Sequence, residues 1–106
     1  VGNVLVAEEQ HEIVGNGAID PASSEVEGIF VIPSCADRGI GRVLLGALES
    51  QALDHKLVTL HLSASLNAVS FYRRAGYVFS TRGAFPLNES LALEFENMEK
   101  RLGAAV

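Results

Sequence analysis

The sequence predicts a mixed α/β domain (an α+β mixed sheet), and three observations carry that expectation. Short apolar strand patterns crowd the first third. A helical pattern then follows a proline-broken loop and two glycines. Strand-like alternation returns after it, interrupted only by a short second helix.

The elements follow in order. Residues 3–8 read as a strand through the nearly continuous apolar run Val4, Leu5, Val6 and Ala7, and Gln10-His11-Glu12 reads as a turn. Residues 13–19 make a second strand, where Gly15 and Gly17 point to a bulge or a close backbone approach. Residues 20–24 are a loop by composition, and residues 26–32 are a third strand ended by Pro33. Residues 41–55 form a helix, with Val43, Leu44, Ala47, Leu48, Ala52 and Leu53 at helical spacing. In residues 57–63, Val58, Leu60 and Leu62 alternate with Thr59, His61 and Ser63, which is a fourth strand. Ser65 or Asn67 can cap a helix over residues 68–75, and Gly76 stops it. Residues 77–81 are a fifth strand, residues 83–88 a turn-rich stretch and residues 91–98 a sixth strand. The strand–helix–strand stretch from Val26 to Ser63 is expected to be a right-handed parallel crossover, with antiparallel terminal pieces.

The 106 residues are expected to form one domain, residues 1–106. With 48% hydrophobic and 20% charged residues the balance is that of a globular chain. A net charge of −5 argues against nucleic acid as a partner. No apolar run nears the roughly 20 residues that span a bilayer, so no membrane partner is expected. Cys35 is the lone cysteine, so an internal disulfide is ruled out and a reducing, cytoplasmic setting is expected. The chain opens almost inside a strand, without Met or a visible signal peptide, and is expected to be a fragment, a processed chain or a renumbered one.

The stretch from Ile29 to Leu45 carries the chemistry. A strand, a loop, Gly39-Ile40-Gly41 and a helix start build an anion site from backbone, because free amides and the helix dipole meet at the helix N-terminus. A phosphate-bearing cofactor is the natural guest. Leu44 stands where a dinucleotide fingerprint needs its third glycine, and a Gly-Lys-Ser/Thr is lacking, so neither common nucleotide cradle fits. By themselves the two glycines can equally be turn and cap chemistry.

A second constellation runs from Asn67 to Tyr77. Phe71-Tyr72, three residues, then Gly76-Tyr77 resembles the fourth-helix signature of the GNAT superfamily of acyl-CoA-dependent N-acetyltransferases. Phe30-Val31-Ile32-Pro33 followed by Arg38-Gly39-Ile40-Gly41 is similar to that family's cofactor strand and pyrophosphate loop, in the family's order and at about its spacing. Residues 94–102 are similar to the last strand of many members. The resemblance covers nearly the whole chain.

It implies a GNAT-like acyl-CoA N-acyltransferase fold, with acetyl-CoA as cosubstrate and no metal. The backbone of Phe30, Val31 and Ile32 would bond the pantetheine arm. The amides of Arg38, Gly39, Ile40, Gly41, Arg42 and Val43 would wrap the pyrophosphate, and Asn67 and Tyr72 would also contact the cofactor. Tyr72 would protonate the leaving thiolate, for which an ordinary tyrosine pKa of about 10 is suitable, with Phe71 as the core anchor and Tyr72 facing elsewhere; the alternative is that Tyr72 is itself a packed core aromatic. A carboxylate on the third strand would take the amine's proton, with Glu27 as candidate and Glu25 in reserve; each can instead be a solvated strand-end acid. His61 titrates in the right range but reads more simply as a half-buried strand histidine with a structural partner. Arg42, Arg73 and Arg74 could meet CoA phosphates or simply be solvated charges, and Cys35 reads as incidental.

Two departures stand out. Ala36 and Asp37 occupy positions where the family usually has Gln or Arg and then Gly. The strand and helices that normally precede the first hairpin, and line the acceptor site, are not in this sequence. The first strand would then have an unpaired edge, from which a homodimer is expected. Six acids without Lys or Arg in residues 1–30 favour a cationic acceptor. The expected function is acetyl transfer from acetyl-CoA to a primary amine, small molecule or peptide. The alternatives are a non-catalytic acyl-CoA- or partner-binding module and a generic α/β domain.

Overall fold

A computed structural model describes residues 3–103. Six strands and two α-helices are present among them, the α/β composition that the sequence predicts. They fall into two compact units, residues 3–60 with 101–103, and residues 61–100.

The first unit begins with an antiparallel meander: β1 (Asn3–Glu9), β2 (Glu12–Asp20) and β3 (Glu25–Val31). The β1–β2 turn holds Gln10 and His11 at φ 51° and 70°, the pair of left-handed residues that a two-residue primed turn requires. Two bulges bend the meander. Ala7 pairs Gly15 while Glu8 pairs Ile13, which leaves Val14 extra; Ala18 pairs Gly28 while Ile19 pairs Val26, which leaves Glu27 extra. The first bulge turns both Val14 and Gly15 inward, and Val14 accepts a backbone bond from Ile32 at 2.9 Å.

Helix α1 (Ile40–Asp54) packs on this meander through Leu44, Leu45, Leu48 and Ala52, all buried. Each fully buried leucine stabilises by about 1.5–3 kcal/mol. Val43, Ala47 and Leu53 share the helical periodicity but face solvent, so the buried stripe is narrower than the apolar pattern. Gly15 and Gly17 are what let the helix sit so close. A Cβ on Gly15 would lie 2.8 Å from the Phe30 carbonyl oxygen, and one on Gly17 3.0 Å from Leu48 Cδ1. The helix ends with Lys56 at φ 64° and with the bonds Lys56 N–H to Leu53 and Leu57 N–H to Ala52, a Schellman stop built on a lysine instead of a glycine.

The second unit holds most of β4 (Thr59–Ser65), helix α2 (Val69–Arg74), β5 (Val78–Asn88) and β6 (Leu91–Arg101), with the strands side by side in the order β4-β6-β5. β4 alternates as expected: Leu60, Leu62 and Ala64 are buried between exposed His61, Ser63 and Ser65. It starts at Thr59 rather than residue 57, and Val58 is 69% exposed. α2 follows a 3-10 turn (Leu66–Ala68) and has no side-chain cap. The expected caps bond each other instead, Ser65 Oγ donating to Asn67 Oδ1 at 2.7 Å. Gly76 does stop the helix, at φ 102°, with Gly76 N–H bonding Arg73 and Tyr77 N–H bonding Tyr72.

The stretch 83–88 is not a turn. β5 runs straight through it and pairs β6 to the tip. Gly83 misled because its glycine serves ring packing: a Cβ there would lie 2.5 Å from Phe95 Cζ, so the ring lies across the bare backbone. Pro86 fits because β5 ends the strand order and need not donate on its outer side.

Candidate active site

The loop expected to be an anion site runs from the end of β3 to Gly39, directly before α1. A 3-10 turn (Pro33–Cys35) ends β3, with Cys35 N–H bonding Ile32 and Ala36 N–H bonding Pro33. The chain then reverses through Asp37 and Gly39 at φ 63° and 83°. Gly39 caps α1 without a side chain, and the first intrahelical bond is Val43 N–H to Gly39. The amides of Ile40, Gly41 and Arg42 therefore lie before that bond, where a helix leaves its donors unsatisfied. No acid stands in the first turn of this 15-residue helix, so the dipole's positive end is not neutralised from within the helix. Arg42 and Val43 face solvent beside it.

Arg38 is committed elsewhere. Its guanidinium meets Glu9 in a two-pronged pair, Nη1 donating to Oε1 at 3.0 Å and Nη2 to Oε2. Nη1 also lies 3.6 Å from the sulfur of buried Cys35. The Glu9 hydrogen bond and charge hold the Arg38 pKa above its ordinary value. Glu9, at the end of β1, thus ties the hairpin to the loop, a contact across 29 residues of sequence that residue spacing could not reveal.

Glu27 is the extra residue of the β2–β3 bulge, and a bulge re-aims the side chain it carries. It is exposed and lines an open groove of about 240 Å³ with Asn16, Ala18, Gly28, Ile29 and Phe30. Gly28, at φ 155°, allows a backbone there that side-chain-bearing residues rarely adopt. Phe30 is 54% exposed, while Val31 and Ile32 are half-buried. Glu25 pairs Asp20 at the far end of the same strand and does not line the groove. Loop, α1 N-terminus and groove all belong to the first unit.

Tyr72 and Asn67 belong to the second. Tyr72 is buried, at 7% exposure, while Phe71 is only half-buried, which reverses the expected division of labour between the two rings. Its ring makes edge contacts with Phe71 at 5.0 Å and Tyr77 at 5.9 Å. Burial pushes the Tyr72 pKa up, so the phenol keeps its proton well into the alkaline range. Asn67 is exposed, with its carbonyl taken by Ser65. His61 is exposed rather than half-buried, and its partner is Glu99, 3.6 Å away. Arg73 and Arg74 are exposed in the last turn of α2. Glu96, which the sequence did not single out, has one carboxylate oxygen buried without a hydrogen-bond partner among the described residues, and its other oxygen lies 3.8 Å from Arg82.

No group of three His, Cys, Asp or Glu that could hold a metal occurs among the described residues, and no helix there is long and apolar enough to cross a membrane.

Comparison with known proteins bears on this arrangement. A family model described as acetyltransferase (GNAT) domain matches residues 2–102. Among solved structures, the GCN5-related N-acetyltransferase (aminotransferase, class-II) from Rhodopseudomonas palustris is 29% identical with a TM-score of 0.87, covering 95% of this chain and 62% of that one. The ribosomal-protein-alanine N-acetyltransferase from Brucella melitensis is 25% identical with a TM-score of 0.78, covering 95% of this chain and 69% of that one. A GNAT family acetyltransferase from Elizabethkingia anophelis with acetyl-CoA bound shares the fold at 17% identity and a TM-score of 0.80, covering 95% of this chain and 76% of that one. The chain thus spans less than two thirds of the length of the first of these relatives.

Proposed function

Because this chain belongs to the GNAT acetyltransferase family, on a match over residues 2–102, we propose that it moves an acetyl group from acetyl-CoA to a primary amine by direct transfer. One observation carries the reading: the uncapped, acid-free N-terminus of α1, entered through left-handed Gly39, offers free amides to a pyrophosphate. The acetyl-CoA held by the Elizabethkingia relative supports the choice of donor. A cytoplasmic setting is part of the proposal and rests on the lone cysteine.

In this reading the amides from Arg38 to Val43 wrap the pyrophosphate, and the backbone of Phe30, Val31 and Ile32 carries the pantetheine arm. Asn67 contributes a further cofactor contact. Glu27 accepts a proton from the acceptor amine. The amine's lone pair attacks the thioester carbonyl, the C–S bond breaks with its electron pair going to sulfur, the thiolate takes its proton from the Tyr72 hydroxyl, and the second amine proton, released as the amide forms, passes to solvent, from which the Tyr72 phenolate regains one. Tyr72 is neutral at working pH and so has a proton to give, although the upward shift from burial makes it a weaker acid than an exposed tyrosine. Most of the acceleration comes from holding amine and thioester together. The excess of acids over bases in residues 1–30 favours a cationic acceptor, a small molecule or a peptide amine.

Calorimetry with acetyl-CoA, and with NADH as control, tests the first half; micromolar binding corresponds to about −8 kcal/mol. Thiol release across a panel of amines tests the second. Failure to bind acetyl-CoA, or binding without thiol release from any amine, would overturn the proposal.

A further inference from the structure

Lys100, on β6, is a cation that the proposed chemistry does not use, and its half-buried side chain reaches the segment that carries Tyr72. Helix α2 has six residues and no side-chain cap, too few to hold their shape alone in water. Its C-terminal end is where the chain pins it. The Tyr72 carbonyl accepts bonds from Ala75 N–H and Tyr77 N–H, each at 3.0 Å, and the Arg73 carbonyl accepts Gly76 N–H at 3.0 Å. The Ala75 carbonyl, just past the helix, accepts Lys100 Nζ–H at 2.8 Å. The lysine stem passes Gly76 on the way, where a Cβ would lie 3.3 Å from Lys100 Cε and 3.5 Å from its Cδ. The ammonium also stands 5.6 Å from the centre of the Tyr77 ring, within cation–π reach. Tyr77 is fully buried, and its ring meets the Tyr72 ring edge-on at 5.9 Å.

We propose that Lys100 is a positioning residue for Tyr72. The inference rests on the reading that Tyr72 gives the thiolate its proton. Where a tyrosine hydroxyl stands depends on the backbone that carries the ring and on what the ring leans against. Lys100 holds both. Through the Ala75 carbonyl it fixes the end of α2, and through the Tyr77 ring it fixes the surface on which Tyr72 rests. A cation at a helix C-terminus has the favourable sign for the backbone dipole. Packing alone does not account for a lysine here, because an apolar stem of the same length would fill the space beside Gly76 without the cost of half-burying a charge. What needs the ammonium is its head, which meets a carbonyl and an aromatic face at once. Lys100 acts only through these neighbours. Its effect on rate comes from geometry, since a misplacement of about 1 Å caused far from the chemistry can cost about a hundredfold.

A double-mutant cycle in steady-state kinetics tests this. Lys100→Met keeps an unbranched apolar stem and loses the ammonium. It is expected to lower kcat by about tenfold or more. The KM for acetyl-CoA should stay at the parent's value, since the loop amides and the pantetheine strand of the proposed site lie in the first unit. Added to Tyr72→Phe, the same change should lower kcat by less than about twofold, because no hydroxyl remains to be misplaced. The chain has two tyrosines, Tyr72 and Tyr77, so the NMR ring signals of isotope-labelled tyrosine are assigned by Tyr72→Phe. Both sets should move in Lys100→Met. Should Lys100→Met fail to fold by circular dichroism, Lys100→Arg replaces it with the same coupling expected: the charge stays, but a planar fork does not fit where a compact ammonium meets carbonyl and ring. Full activity of Tyr72→Phe would overturn the proton-donor reading and this inference with it. Where Tyr72→Phe loses activity, parental kcat in Lys100→Met, an equal loss in both backgrounds, or unmoved Tyr72 signals would overturn the inference alone.

Discussion

Adding one methyl group at each of three glycines tests how closely the first unit is packed around α1. At Gly15 the new Cβ would stand 2.8 Å from the Phe30 carbonyl oxygen and 3.2 Å from Leu44 Cδ1. The first of these is backbone and cannot rotate away, so β3 or α1 must shift, and overpacking of this kind costs about 1–3 kcal/mol. At Gly17 the nearest atom is Leu48 Cδ1 at 3.0 Å, the end of a side chain, and the loss should be smaller. At Gly46, on the exposed side of α1, nothing lies within 4 Å. Alanine there gains the helix propensity that glycine lacks, about 1 kcal/mol. Urea unfolding should therefore rank the variants Gly46→Ala above the parent and Gly15→Ala lowest, with midpoints displaced and slopes unchanged. Thermal midpoints should move by about 4–8 °C per kcal/mol in a domain of this size. Gly15→Ala should also weaken acetyl-CoA binding, because the carbonyl it displaces belongs to the proposed pantetheine strand. A Gly15→Ala variant as stable as the parent, or a Gly46→Ala variant that loses as much, would refute the packing described.

Tyr72→Phe should lower turnover by about 100-fold or more while leaving acetyl-CoA affinity unchanged; full activity would remove the proton-donor role. Because burial raises the Tyr72 pKa, its contribution to stability is fully present below the unfolded value of about 10 and is lost as pH rises through the folded value, so Tyr72→Phe should flatten the alkaline fall in unfolding free energy. Glu27→Gln should lower the rate by about 100-fold near neutral pH and recover as pH rises and the amine loses its own proton, which a pH–rate profile would show. Lys56→Gly should stabilise by about 1 kcal/mol in urea unfolding, since it relieves a left-handed lysine at a helix stop. Glu9→Gln should weaken acetyl-CoA binding at both low and high salt, because the loop loses the ion pair that ties Arg38 to the end of β1; calorimetry at two salt concentrations checks this.

What the sequence made legible was local. The presence of α1, the β4 alternation and the Gly76 stop each depend on neighbours within a few residues, and each stands as read apart from the ends, although the buried stripe of α1 is narrower than its apolar pattern. What stayed hidden depends on partners far along the chain. Gly83 and Pro86 look like turn residues until Phe95 is laid over the first and the second is found on the last strand of its sheet. Glu27 reads as one acid among several; its exposure on the groove comes from a bulge that exists only in the register between β2 and β3. The roles of Phe71 and Tyr72 were reversed for a similar reason. Either phase of a six-residue helix buries one aromatic, and the contacts with Tyr77 decide which.

The Glu9–Arg38 pair bears on the proposed attraction of this loop for a phosphate. Four arginines near the two motifs invite the view that positive side chains draw the cofactor in. Yet the arginine adjoining Gly39 is already matched by Glu9, and Asp37 adds an exposed negative charge beside it. What remains at the loop is mostly backbone: free amides, a helix dipole and the reversal at Gly39. Such donors carry no net charge, so they recognise an oxyanion by direction and distance rather than by long-range pull. A loop of that kind is specific for shape, and it works only while the loop is held in place. Glu9 supplies that hold by tying the β1 end to the residue before the turn. Its negative charge, which weakens the electrostatic attraction, is on this view the cost of keeping the amides aimed.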